Sequence, residues 1–348
     1  MAGGRADPIE NNDPETSMKR VVTLLLSASL VAAGGSAWAA SDPKSGKKVT
    51  ANVASVYPPN SPLDLGLNKL KELLAEQTGG RIDIQIHRGG AMGDEKQTFE
   101  MLSQGSVEFG ALGSGDISAF FPKYFISEVP YMFSSQEDFW KFWNGPGKEL
   151  SALMEKQRGV RTDGVIYRGA RYLTSNTPVR NIADVKGLKM RLPPIKAWFK
   201  VWESLGAVPS TIAFSEVYLA LKTGVVAAQE NPPETILAYK MYEAQKYLIA
   251  TQHVYGAARI MSSAAWWATL AKDDQALISK ALQEATAFAN QITKDGDAEM
   301  VKKLQEAGMT LITVDKNAFK EAIKPVVDNM AKSEWDPAFY RKVQDALK

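Results

Sequence analysis

Residues 184–235 read DVKGLKMRLPPIKAWFKVWESLGAVPSTIAFSEVYLALKTGVVAAQENPPET. Leu188, Met190 and Leu192 alternate with Lys189 and Arg191, the period-two pattern of a strand over 188–192. Pro193-Pro194 end it, because proline has no amide hydrogen to continue a ladder. Residues 196–205 read as a helix, and Ser215 is placed to cap a second one over 216–223 that Gly224 closes. The chain returns over 225–228 and turns at Asn231-Pro232-Pro233. An arginine at a strand end, an aromatic group and an Asn-Pro turn make this stretch read as half of a ligand cleft.

Upstream, residues 49–55 read as a strand that breaks at Tyr57-Pro58-Pro59. Ser61 is a natural N-cap with Pro62 at the first helical position, and Leu63, Leu67, Leu70 and Leu74 recur at helical spacing until Gly79-Gly80. Ile82, Ile84 and Ile86 alternate with polar residues, so a β-α-β unit is predicted. A helix over 95–103 and a strand over 107–112 follow, with Gly113-Ser114-Gly115 beyond the strand. Neither GxGxxG nor GxxxxGK[ST] is present, so these glycines read as turn chemistry that lets backbone approach closely. The aromatic-rich segment 120–143 reads mostly as packing, since aromatic rings bury large areas.

Beyond it, residues 160–166 and 172–175 are extended, and Arg168 and Arg171 flank Gly169 between them. Downstream of the opening stretch, 247–251 and 259–263 read as strands. Asp273 or Asp274 is expected to cap a long helix whose apolar face carries Leu277, Ala281, Ala285, Phe288 and Ile292, with a kink at Gly296. A last strand over 310–314 and helices from Lys316 and from Asp336-Pro337 complete the chain. Strands alternating with helices indicate an α/β fold, and 348 residues exceed what one core usually serves, so two lobes are expected.

The composition excludes several chemistries. A net charge of +2, mixed evenly along the chain, does not suit a nucleic-acid partner. The absence of cysteine removes disulfides and thiolate chemistry, and His87 and His253 are too few for a histidine-rich metal site. No G-x-S-x-G or H-E-x-x-H is present, and nothing singles out a carboxylate pair, so a reading as an exported hydrolase ranks low and neither cofactor nor metal is expected.

The N-terminus carries an address. Met18-Lys19-Arg20, an apolar run over 21–33 and Ala37-Trp38-Ala39 have the form of a cleavable export signal, the run being shorter than the roughly 20 residues a membrane-spanning helix needs. Residues 1–39 are therefore assigned to an extension and signal peptide, and 40–348 to the folded unit, expected in the periplasm.

Binding is the stronger reading. Guanidinium replaces the lost hydration of a small anion best, by giving a carboxylate two parallel charge-assisted bonds. Arg171 and Arg191, each beside glycine or proline at a strand end, fit that use, and they equally fit solvated or ion-paired arginines.

The runs Asp184-Val185-Lys186-Gly187-Leu188-Lys189-Met190-Arg191-Leu192-Pro193, Phe214-Ser215-Glu216-Val217-Tyr218-Leu219-Ala220-Leu221 and Gln229-Glu230-Asn231-Pro232, with Gly93-Asp94-Glu95, Tyr242-Glu243 and His253, closely resemble the extracytoplasmic solute-binding subunit of TRAP transporters, the DctP family. The resemblance covers essentially the whole chain after the signal. It implies a two-lobed periplasmic-binding-protein-like fold, mixed sheets flanked by helices with one long helix crossing both lobes. Lobe 1 is expected over about 47–168 plus 257–296 and lobe 2 over about 169–256 plus 297–348.

The resemblance further implies domain closure on an organic acid, a C4-dicarboxylate or another small carboxylate, and delivery to the small and large TRAP membrane subunits. By the family pattern Arg191 is the main carboxylate clamp, Arg171 a second anion contact, Asn231 a polar contact and Phe214 a pocket wall. Trp198 and Ser114 complete the expected site. Where the family usually has Asp-Gly before Q-E-N-P, this chain has Ala227-Ala228, and its cleft-facing loop offers Gly113 and Ser114 without a carboxylate. A periplasmic sensor subunit would present the same binding site.

Overall fold

The computed structural model describes Lys44 and residues 46–348. The extension, the export signal and the processing site expected over residues 1–39 lie outside the described residues. β1 (Val49–Ser55), α1 (Pro62–Thr78) and β2 (Ile82–His87) form the expected β-α-β unit, β1 and β2 running parallel from Val49↔Ile82 to Ala54↔His87. Ser61 Oγ accepts the Asp64 amide at 3.3 Å, and Gly79 ends the helix with φ 59°, a left-handed conformation that glycine adopts without a Cβ clash. Leu63, Leu67, Leu70 and Leu74 are all buried.

α2 (Glu95–Gln104) opens with a capping box, in which Asp94 accepts the Gln97 amide at 2.8 Å and Gln97 Oε1 accepts the Asp94 amide at 2.9 Å. β3 (Phe109–Leu112), α3 (Gly115–Phe120), α4 (Gln136–Asn144) and α5 (Pro146–Arg158) lead into β4 (Val160–Ala170). Then follow β5 (Tyr172–Ser175), β6 (Lys189–Leu192), α6 (Lys196–Ser204), β7 (Val208–Thr211), α7 (Val217–Lys222), β8 (Ala228–Asn231), α8 (Pro233–Ala238) and β9 (Tyr247–Ile249). β10 (Tyr255–Ser263), α9 (Ala264–Ala268), α10 (Lys272–Glu306), β11 (Thr310–Ile312), α11 (Lys316–Ser333) and α12 (Pro337–Ala346) complete the chain.

These strands form two mixed sheets, in the orders β2-β1-β3-β10-β4 and β11-β9-β5-β8-β6-β7. The chain passes from the first sheet to the second between Ala170 and Tyr172, where β4 gives way to β5, and returns through the segment between β9 and β10. α10 packs on α1 and β4 beside the first sheet and on α8 beside the second, so one helix runs along both lobes. Most of the aromatic segment packs inward as expected: Phe133, Phe139, Phe142 and Trp143 are buried in one core with Trp198 and Trp202.

Four local expectations are corrected. Ser215 caps nothing: a 3-10 turn over Phe214–Glu216 feeds α7 directly, without a side-chain cap. The returning strand begins at Ala228, so Asn231 ends a strand where a turn was expected, while Val225 is exposed. α10 starts without a side-chain cap at Ala271, and Asp274 instead pairs with Arg81 at 2.6 Å. Its buried face runs through Ile278, Ala281, Leu282, Ala285 and Ala289, leaving Phe288 42% exposed. The reason is close approach: a Cβ on Gly66 of α1 would stand 2.9 Å from that of Ala289, so small residues face α1 and the large ring turns outward. The kink expected at Gly296 falls among residues 295–297, outside the described side chains.

Candidate functional site

β5 and β8 pair antiparallel with Tyr172 opposite Asn231. That register sets Arg171, one residue before β5, against the end of β8. Its Nε and Nη2 both donate to the Glu230 carboxylate (Nη2–Oε1 2.8 Å), and Nη2 also donates to the Glu230 carbonyl at 2.7 Å and to Asn231 Oδ1 at 3.0 Å. Asn231 Nδ2 in turn donates to Gln229 Oε1 at 2.6 Å. Below the guanidinium lies the Trp198 ring, 4.9 Å from Cζ to centroid.

Glu230 also receives His253 Nε2 at 3.1 Å, while His253 Nδ1 lies 2.8 Å from the Thr251 hydroxyl. A carboxylate only accepts, so Nε2 carries the proton and Nδ1 accepts from Thr251. Burial alone would push the Glu230 carboxyl up, but Arg171 and His253 hold it down at about 2. Burial pushes His253 below its ordinary value against the pull of Glu230.

Arg191 sits on β6 opposite Ser210 of β7 and is 3% exposed. Its Nε donates to the Ile212 carbonyl at 3.0 Å, and its Cζ lies 5.7 Å over the Phe214 ring, which itself packs edge-on against Tyr239. Among the described residues it makes no ion pair. Burial lowers it to about 10, with Arg171 adding to the fall and the charges of Glu230 and Glu95 opposing it. A buried cation without its own anion is expensive unless something supplies one.

The first lobe faces this group with carboxylates. Glu95 Oε1 accepts the Gly113 amide at 2.7 Å and Oε2 the Gly115 amide at 2.8 Å. The glycine loop read as plain turn chemistry is thus a cradle for an acid of this chain, and the loop expected to lack a carboxylate holds one. A Cβ at Gly113 would stand 2.4 Å from Glu95 Oε1, so the seat requires glycine. Burial and Asp116 push the Glu95 carboxyl up, opposed by the two amides and Arg168. Ser114 is buried in that loop, and beside it Glu128 Oε1 accepts the Ala257 amide at 2.9 Å.

Other buried charges around the cleft are matched within the chain. Arg168 donates to Thr235 Oγ1 at 2.8 Å and reaches Glu234 at 3.4 Å, with its Cζ 4.9 Å over the Tyr57 ring. Arg259 donates to Asp116 and to the Gly113 carbonyl, which fixes the glycine loop. Besides the Arg168 contacts, bonds that cross between the lobes include Trp198 Nε1 donating to the Glu128 carbonyl at 2.6 Å and Tyr239 Oη to the Val56 carbonyl at 3.1 Å.

The structure therefore gathers Arg171, Asn231, Trp198, Arg191 and Phe214 on the second lobe and Ser114 on the first. Sequence reasoning left Glu95, Glu230, His253, Tyr57 and Arg168 without roles. The paired glycines at 113 and 115 carried a signal for Glu95; nothing local pointed to the Arg171–Glu230 pairing, whose partners lie 59 positions apart.

Two α/β lobes woven from discontinuous segments, closing over a buried and unmatched arginine, define a solute-binding protein. The chain belongs to the bacterial extracellular solute-binding protein family 7 (DctP), whose family model matches residues 53–334. It is 31% identical over 324 residues to the C4-dicarboxylate-binding periplasmic protein DctP of Rhodobacter capsulatus, covering 89% of this chain and 95% of that one. It is 29% identical to the sialic acid-binding periplasmic protein SiaP of Vibrio cholerae over 74% of this chain and 80% of that one. Its fold matches a TRAP periplasmic solute-binding protein of Roseobacter denitrificans with bound L-galactonate at a TM-score of 0.80 and 28% identity, covering 87% of this chain and all of that one. Another such protein, from Ochrobacterium anthropi with bound L-fuconate, matches at 0.80 and 27%, covering 86% and 100%.

Proposed function

We propose that this protein captures a small organic acid in the periplasm by seating its carboxylate on Arg191, closes its lobes around it, and delivers it to the membrane subunits of a TRAP transporter. One observation carries this reading: Arg191 is buried, forms no ion pair among the described residues, and spends only Nε on the chain itself. Its two terminal nitrogens, planar and parallel, are free for a forked contact with a carboxylate. Arg171, paired with Glu230, holds Asn231 in place, and Phe214 is the apolar wall under Arg191. The relatives named for dicarboxylate and sialic acid, and the solved structures holding aldonates, support an acid as the solute.

Closure follows as a shift between open and closed populations, because only the closed form brings groups from both lobes onto the same ligand. The test is mass spectrometry of small molecules released from purified protein, with calorimetric titration of the acids found. Recovery of an unchanged organic acid that rebinds to the wild type and not to Arg191→Ala is expected; a solute bound equally by both overturns the assignment.

A further inference from the structure

We propose that Arg168 of β4 and Glu234 of α8 form a latch between the lobes, completed by one buried water, that favours the closed form before any solute is present. The latch rests on closure of the lobes and not on Arg191 as the carboxylate clamp.

The position of the pair sets it apart. β4 is the edge strand of the first sheet, and α8 follows β8 of the second. Arg171–Glu230 and Arg259–Asp116 each join groups of one lobe, so they persist whatever the lobes do. Arg168–Glu234 crosses from one lobe to the other, with side chains only 12% and 10% exposed, and parting the lobes breaks it. The guanidinium is held from beneath by the Tyr57 ring, 4.9 Å from Cζ to centroid. Its Nη2 donates to Thr235 Oγ1 at 2.8 Å, and that hydroxyl donates in turn to Glu234 Oε1 at 2.5 Å, which lies 3.4 Å from Nη2. The same seam is stitched one residue away, where Tyr239 Oη reaches the Val56 carbonyl.

The fork, however, is made on one side only. An arginine facing a carboxylate through Nε and Nη2 can give two parallel bonds, as Arg171 does to Glu230. At Arg168 the second rung is missing: Nε and Glu234 Oε2 are both buried with no partner among the described residues. Leaving two charged groups short of a bond is costly in a site that water cannot flood. Between β4, α8 and α10 a cavity of about 10 Å³ remains, lined by Ile166, Arg168, Glu234 and Thr293 among others. That is about the room one water occupies, and buried waters typically hold two to four polar partners. A water accepting from Nε and donating to Oε2 supplies the missing rung, nearly as well in enthalpy as a direct bond. A charged guest is excluded, because the pair is already neutral.

Two measurements test this, neither of them using a solute, so both stay readable if Arg191 proves not to be the clamp. The first is an atomic-resolution crystal structure of the closed protein. An ordered water within hydrogen-bonding distance of Arg168 Nε and Glu234 Oε2 is expected; an empty cavity, or Nε bonded directly to Oε2, overturns the water. The second is single-molecule energy transfer on the full chain labelled at Glu76→Cys of α1 and Lys222→Cys of α7. Both sites are exposed, and the chain has no cysteine of its own to compete for the dyes. The ligand-free protein is expected to visit the closed form, and Arg168→Met to lower that closed fraction roughly tenfold, the scale of a hydrogen bond to a charged group. Thr235→Val keeps both charges and should lower it roughly fivefold, which keeps the question decidable if Arg168→Met does not fold. A ligand-free wild type that never closes, or variants that close as often as it does, overturns the latch.

Discussion

Arg171 and Glu230 form a forked ion pair whose side chains are 6% and 0% exposed, so the arginine first expected to share in anion capture is already satisfied within the chain. Its positive charge is cancelled locally, and what it contributes to the cleft is rigidity. It fixes Asn231 and lies on the face of Trp198.

Glu230→Gln is accordingly expected to damage stability first. Taking away one partner of a buried charge pair leaves the other uncompensated, at a cost of about 3–5 kcal/mol. Chemical denaturation monitored by tryptophan fluorescence measures it; a loss below about 1 kcal/mol, the scale of an exposed pair, contradicts the role given to this pair.

Arg191→Ala should separate binding from stability. The clamp is lost, so affinity for the bound acid is expected to fall by at least roughly a hundredfold. The ligand-free protein should melt no earlier than the wild type, because a buried cation without an ion-pair partner has been removed. Differential scanning calorimetry with and without ligand reads both effects.

Acid should weaken the protein in two stages. His253 is depressed in the native state, so below its ordinary value of 6.5 the unfolded chain takes up a proton that the native one refuses. Stability therefore falls as pH drops through that value. Glu230, held at about 2 against an ordinary 4.5, contributes stability that is complete above 4.5 and is lost as pH falls toward 2. His253→Gln is expected to flatten the slope between pH 6.5 and 5 and to leave the lower stage in place. Urea midpoints at stepped pH give the comparison, and an unchanged upper slope would remove His253 from this account.

Trp198→Phe and Tyr239→Phe each delete one hydrogen bond between the lobes, to the Glu128 and Val56 carbonyls. Each bond is worth about 1 kcal/mol, so affinity should drop roughly fivefold per substitution as the closed population shrinks. Small-angle scattering of the ligand-free double variant is expected to show a larger radius of gyration. A radius and an affinity equal to the wild type's would mean that closure is held elsewhere.

Much of the fold was legible because ends are written locally. Ser61 with Pro62, and Gly79, mark helix termini within a few residues of chain, and the isoleucines of β2 alternate openly. The face of α10 was not legible in this way. Size suggested Phe288 for the interior, whereas the approach of Gly66 to Ala289 selects small residues, and a helix cannot announce which neighbour it will touch.

The site divides along the same line. A strand ending in prolines put Arg191 at a strand end, and only the family pattern set it apart from Arg171. The seat of Glu95 on Gly113 and Gly115, and the cancellation of Arg171 by Glu230, arise from pairings 18, 20 and 59 positions apart that only the packed sheets create.

The strand order of the first sheet, β2-β1-β3-β10-β4, bears on how the molecule comes into being. A ribosome releases β3 and β4 well before β10, yet β10 is the strip that joins them, antiparallel to both. Until Ser263 has emerged, β4 has no neighbour in that sheet, and the segment carrying β5 to β9 intervenes as a long excursion. A nascent chain built on this plan must postpone its first lobe until most of its length has been synthesised.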